Sequence, residues 1–180
     1  LTGKLVVGDP TERAVYMGPV INKTSYEDYK VSVGDFRKAG KVLTGGKILK
    51  GGIFDKGYFC APTLVADVPL NHRLWKHEMF LPVATIAKVK NLDEAMKLAN
   101  DVPYGLTAGF YGSDEETQWF FDHIQAGVTY ANRPQGATTG AWPGFQPFGG
   151  WKASGSTGKN AGGHYYLPLY MHEQIRTLVK

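Results

Sequence analysis

The chain has 180 residues, 43% of them hydrophobic and 13% aromatic, enough apolar material for a real globular core. Its net charge of +4 comes from scattered lysines with no basic block, which argues against a nucleic-acid surface. No apolar run approaches the roughly 20 residues that span a membrane, and the single cysteine excludes an internal disulfide and suits a reducing cytoplasm.

No secretory signal opens the sequence. It begins at Leu1-Thr2-Gly3-Lys4 without an initiator Met, as expected of a fragment. Leu5 to Pro19, broken by proline and glycine, reads as an extended connector. Asn22 to Gly40 reads as a helix: Tyr26, Tyr29, Val33 and Phe36 recur at three- and four-residue steps. Thr24 or Ser25 is its expected cap and Gly40 its stop. Lys41–Leu43 is a short strand candidate, Gly51 to Gly57 a turn, and Tyr58–Val68 a strand whose Pro62 suggests an edge or bulge. Leu70 to Pro82 is irregular, and Val83–Val89 is a further strand.

Asn91 is placed to cap a helix reaching about Asn100, and Pro103-Tyr104-Gly105 breaks it. Leu106–Tyr111 reads as a strand. Ser113 and Glu116 form a capping box for a helix expected to stop at Gly127. Val128–Ala131 is a strand that delivers the chain into a glycine-rich stretch, Arg133 to Gly163. His164 to Val179 is expected to be mostly extended. Strands alternating with helices predict an α/β fold with an open, mostly parallel sheet and flanking helices.

The glycine-rich stretch is too broken by Pro143, Pro147 and its glycines to be helix or long strand. Trp142, Phe145, Phe148 and Trp151 argue against a solvated tether, so an ordered, packed loop is expected there. Its amides suit an anion. It leaves the carboxyl end of a strand, where ligand sites of open α/β sheets lie.

Other chemistry is poorly supported. Gly155-Ser156-Thr157-Gly158-Lys159-Asn160 fails as a phosphate loop, because Ala153 replaces the first glycine and Asn160 the magnesium-binding hydroxyl. No GxGxxG fingerprint follows a strand. The five histidines show no metal-ligand spacing, so no metal is expected. Cys60 lies inside a predicted strand and reads as a packing residue.

Five segments in order resemble the carboxyl-terminal part of the NAD(P)-dependent aldehyde dehydrogenases. They are Val7-Gly8-Asp9-Pro10 with Met17-Gly18-Pro19-Val20-Ile21-Asn22; Gly57-Tyr58-Phe59-Cys60-Ala61-Pro62-Thr63-Leu64; His77-Glu78-Met79-Phe80-Leu81-Pro82-Val83; Ala99-Asn100 through Gly109; and Pro147-Phe148-Gly149-Gly150-Trp151-Lys152-Ala153-Ser154-Gly155. Within that family, Thr139-Gly140-Ala141 ahead of Gln146-Pro147-Phe148 is most similar to the branch acting on 1-pyrroline-5-carboxylate (glutamate semialdehyde). Leu81 stands where the family usually has glycine.

The resemblance implies residue roles. Glu78 would bind the nicotinamide ribose hydroxyls and Phe80 would pack near the nicotinamide. The Gly140 and Ala141 amides would hold the substrate's backbone carboxylate, and Phe148 would line the aldehyde pocket. It also implies a partial catalytic domain over residues 1–163 and an extended oligomerisation segment over 164–180, with the Rossmann-like cofactor domain absent. The family's nucleophilic cysteine, base and oxyanion-hole asparagine belong to segments earlier than Leu1, so no catalytic residue is assigned. The family reaction runs through a thiohemiacetal on cysteine, hydride passage to the nicotinamide and thioester hydrolysis. The chain alone is therefore expected to be inactive and to hold neither NAD nor NADP. In the cytoplasm it would act within a homo-oligomer or beside an N-terminal half carrying the cysteine and cofactor domain, away from nucleic acid and membrane. The alternative is a non-catalytic assembly or small-anion-binding module derived from the family.

Overall fold

Asn22 starts the first helix. Its backbone is extended and its side chain accepts a hydrogen bond from the Ser25 N–H at 2.8 Å, so α1 runs Lys23–Ala39. The cap is therefore Asn22 itself, ahead of the expected Thr24 or Ser25. One stripe of α1 is buried through Tyr29, Ser32, Val33 and Phe36, at the spacing that puts side chains on one helix face. The computed structural model describes residues 1–134, 144–157 and 159–180, and divides into two compact units, Leu1–Lys88 and Val89–Lys180.

In the first unit α1 packs on a three-stranded sheet of β1 (Lys41–Thr44), β2 (Thr63–Ala66) and β3 (Val83–Ile86). β1 runs antiparallel to β2, and β2 parallel to β3 with Thr63 opposite Val83. Phe36, Val65, Val68 and Leu74 form one core cluster, and Tyr29, Val33 and Cys60 another. Full burial of such apolar side chains contributes about 1.5–3 kcal/mol each.

A polar knot lies inside this core. The Tyr29 hydroxyl is 2.7 Å from Thr63 Oγ1 and 2.8 Å from the Ala61 carbonyl, and Thr63 Oγ1 accepts from the Gly46 N–H at 2.8 Å. Gly45 is required here, because its φ is +76° and an added Cβ would lie 2.1 Å from the Pro62 carbonyl oxygen. The strand expected over Tyr58–Val68 is correspondingly shorter. Residues before Pro62 are engaged elsewhere: Ala61 N–H donates to Lys47 O, Leu49 N–H to Phe59 O, and Cys60 bridges Ile48.

In the second unit Asn91 caps α2 (Leu92–Asn100) through the Glu94 N–H, as expected. The chain then forms β4 (Tyr104–Gly105) and β5 (Thr107–Phe110), α3 (Asp114–His123), β6 (Val128–Ala131) and β7 (Trp151–Lys152). β5, α3 and β6 make a crossover unit with parallel pairing from Thr107–Val128 to Phe110–Ala131, while β4 pairs antiparallel with β7. The Ser113–Glu116 capping box is formed. α3 stops at His123, short of Gly127, because the Asn100 side chain takes over its end. Asn100 Nδ2 donates to His123 O at 2.9 Å and Asn100 Oδ1 accepts from Gln125 N–H at 2.8 Å. The core here is Phe120, Ile124 and Ala126, with Met96, Ala108 and Phe110 against it; the Phe110 and Phe120 rings stack at 5.1 Å.

The α/β class is as expected, but the sheet is not one open, mostly parallel sheet. Among the described residues there are three small sheets, one mixed, one antiparallel and one parallel. Residues 164–180 form no strand. Pro168 sits in a 3-10 turn, Leu167–Tyr170, and the rest of this segment is irregular. Among the described residues no helix is long and apolar enough to cross a membrane.

Candidate functional site

The segment joining β2 to β3 carries His77, Glu78 and Phe80. A 3-10 turn at Arg73–Trp75 is held by the His72 side chain accepting from the Leu74 N–H, and Arg73 pairs with Asp35 of α1. Beyond it Glu78 is exposed, and Phe80 is 83% exposed with φ of +54°. A left-handed backbone on an aromatic residue costs of order 1–3 kcal/mol and persists only where neighbours dictate it. The neighbour is Leu81, which packs against the Tyr29, Val33 and Cys60 cluster. Its carbonyl accepts from the Val83 N–H at 2.7 Å, closing a three-residue turn over Pro82. A leucine in place of the glycine implied by the resemblance is thus absorbed as a core anchor, and the positive φ falls on Phe80.

The glycine-rich stretch belongs to the second unit. Phe148 is half-buried and pairs with Ala161 through two backbone hydrogen bonds of 2.7 and 2.9 Å. Gly149 and Gly150 are buried, and Gly127 must lack a side chain because an added Cβ would lie 1.9 Å from the Gly149 carbonyl oxygen. The backbone of residues 148–150 is therefore packed, as expected, but Phe145 and Trp151 are 64% and 50% exposed, contrary to the expectation that the aromatics of this stretch are packed. The glycines bring main chain against main chain, and that leaves these rings outside. Gly140 and Ala141 lie outside the described residues, as do Trp142 and Pro143. Glu78 and Phe80 lie together on one segment of the first unit, whereas Phe148 lies in the second.

Residues 100–105 and 151–154 dock on each other step by step. Lys152 Nζ donates to Asn100 O at 2.6 Å and to Val102 O at 3.2 Å. Ala153 N–H donates to Pro103 O at 3.0 Å, and Tyr104 and Gly105 pair with Lys152 and Trp151. The Gly105 N–H donates to Ser154 Oγ at 3.1 Å, and Gly105 O accepts from Gly127 N–H. Sequence reasoning assigned no role to Asn100, Lys152 or Ser154. The available signal was that these polar side chains stand inside two of the motifs that carry the family resemblance.

Cys60 is fully buried, and burial pushes its thiol up to about 11 against a smaller opposing pull from Lys30. Such a thiol is protonated at neutral pH and does not serve as a nucleophile. Among the described residues no three His, Cys, Asp or Glu side chains gather as a metal site.

The aldehyde dehydrogenase family matches residues 1–175. The 1-pyrroline-5-carboxylate dehydrogenases of Bacillus subtilis (strain 168) and Geobacillus sp. (strain WCH70) are 40% and 38% identical over 172 residues, covering 95% of this chain and 32% of theirs. The chain therefore spans about a third of the length of the curated relatives it matches. A solved 1-pyrroline-5-carboxylate dehydrogenase from Thermus with bound NAD superposes with a TM-score of 0.81 at 38% identity, over 93% of this chain and 31% of that one. Staphylococcus aureus betaine aldehyde dehydrogenase in complex with NAD+ shares the fold, with a TM-score of 0.82 at 24% identity over 94% of this chain and 33% of its own. With the motifs, the local geometry and these matches in agreement, the chain belongs to the aldehyde dehydrogenase family.

Proposed function

We propose that these residues form the carboxyl-terminal, aldehyde-side portion of an enzyme that oxidises glutamate semialdehyde to glutamate in proline catabolism, in the cytoplasm. In balance, the aldehyde, water and oxidised cofactor become a carboxylate, reduced cofactor and two protons. The observation that carries the reading is similarity to 1-pyrroline-5-carboxylate dehydrogenases, at 38–40% sequence identity and a TM-score of 0.81, over nearly the whole chain.

NAD or NADP, when bound to the complete enzyme, supplies the hydride acceptor. The residues present fit that group: an exposed carboxylate and an exposed aromatic ring stand two positions apart on one segment. Glu78 accepts hydrogen bonds from ribose hydroxyls, and Phe80 lays its ring against the nicotinamide. Gly140 and Ala141 donate backbone N–H groups to the substrate carboxylate. Phe148 forms one wall of the aldehyde pocket and excludes water. Assembly into a homo-oligomer runs through residues 164–180.

The 180 residues by themselves lack a competent thiol, since the single cysteine is buried and protonated. The test is to put them in place of the corresponding third of the Bacillus subtilis enzyme. The hybrid is expected to reduce NAD with glutamate semialdehyde, whereas the 180-residue chain alone gives no turnover. A folded hybrid without turnover contradicts the reading, and so does turnover by the isolated chain that is lost in Cys60→Ser.

A further inference from the structure

We infer that Lys152 is a positioning residue: its ammonium clamps the Phe148-bearing loop onto the end of α2 and so holds one wall of the aldehyde pocket in place. The inference rests on the proposed role of Phe148. Three observations on the second unit support it.

The first is strain. Lys152 has φ of +51°, a conformation that glycine or asparagine adopts more cheaply than lysine. A side chain kept there against its backbone preference points to a use for the side chain. The second is what the ammonium touches. Asn100 O is the last carbonyl of α2 and Val102 O lies just beyond, so both are carbonyls that the helix itself leaves unpaired. A cation at the negative end of a helix makes charge-assisted hydrogen bonds and is favoured by the dipole. The third is where the clamp lies. Only Trp151 separates Lys152 from Gly149 and Gly150, and Gly149 is pressed on Gly127 with no room for a Cβ. Asn100, whose carbonyl Lys152 holds, also ties down the end of α3. Lys152 thus links the loop to the end of α2 and, through the Asn100 side chain, to the end of α3. A shift of the loop at Lys152 is passed to Phe148 four residues earlier, while no reacting group is touched.

The experiment uses the active hybrid described above, with Lys152→Met, Lys152→Gly and Lys152→Arg. Hydrogen exchange is read at the amides of Phe148 and Ala153, which bond to Ala161 O and Pro103 O, with the amides of α1 as control. Lys152→Met is expected to exchange roughly ten-fold faster at Phe148 and Ala153 with α1 unchanged, the effect of losing charge-assisted hydrogen bonds. Lys152→Gly should behave like Met although it relieves the backbone strain, and Lys152→Arg should stay within about three-fold of the parent. In steady state the Met and Gly variants should raise KM for the aldehyde roughly ten-fold with kcat little changed, and Arg should restore it.

Exchange in the Gly variant equal to the parent would overturn the clamp. Faster exchange without a rise in KM would leave Lys152 a staple of the fold and overturn the positioning role. Acceleration at α1 in all three variants would mean general damage and also overturn it. A parent hybrid that oxidises no aldehyde would sink the proposed function instead, while exchange would still decide the clamp.

Discussion

At the scale of single residues, Cys60 and Leu81 show how environment decides chemistry. Cys60 sits in a Gly-Tyr-Phe-Cys segment and is the chain's one thiol, yet it is fully enclosed beside Tyr29 and Val33. Its folded value of about 11 lies above the ordinary 9.0, so folding favours the neutral thiol. That contribution is complete below pH 9 and is lost as pH rises through about 11. Tyr29 is displaced upward by burial as well, in the same direction. Two consequences follow for the isolated chain. At pH 7.5 an aromatic disulfide reagent should label Cys60 at least about a hundred-fold more slowly than in the urea-unfolded chain, because a two-unit shift alone removes that much thiolate. Thermal stability should fall between pH 9 and pH 11, and less steeply in Cys60→Ala. Fast labelling of the native chain, or identical pH slopes, would show that the thiol is accessible or unshifted. Leu81 carries the complementary lesson: its side chain enters the same cluster, and the strained φ appears one residue earlier, on Phe80.

At the scale of elements, much of the fold was legible where the signal was local. The Asn91 cap, the Ser113–Glu116 capping box and the apolar spacing Tyr29, Val33, Phe36 each specify a helix from within a few residues, and each is present. The misplaced boundaries were set from a distance. α3 ends at His123 because Asn100, 23 residues away, bonds to the His123 carbonyl. The Tyr58–Val68 strand is cut to Thr63–Ala66 because residues 59–61 engage the backbone of residues 47–49. The Lys152 clamp spans 52 and 50 positions to Asn100 and Val102 and leaves no periodicity to read. The candidate site follows the same rule. Glu78 and Phe80 are proposed from their motif and lie on one segment with both side chains exposed, whereas the left-handed turn that presents Phe80 depends on the packing of Leu81.

At the scale of the whole molecule, the chain carries about a third of the length of its curated relatives, in two compact units that each carry motifs resembling the family's. Its last residues present Ile175 and Leu178 almost fully to solvent. Such a segment, with unpaired backbone and apolar side chains, is suited to adding onto another subunit. The chain is therefore expected to associate, and light scattering should give a dimer or larger species; a stable monomer of 19.8 kDa at high concentration would count against assembly through residues 164–180. The substrate assignment has its own discriminating observable, the preference for an aldehyde bearing a backbone carboxylate. Two amide hydrogen bonds to that anion are worth roughly ten- to hundred-fold or more in specificity. The measurement is kcat/KM of the active hybrid for glutamate semialdehyde and for a simple aliphatic aldehyde, with the parent Gly140 and with Gly140→Val. A side chain at that position should obstruct the approach of the carboxylate, so the preference should collapse by that factor while the aliphatic aldehyde loses little. Equal losses on both substrates would contradict the assignment.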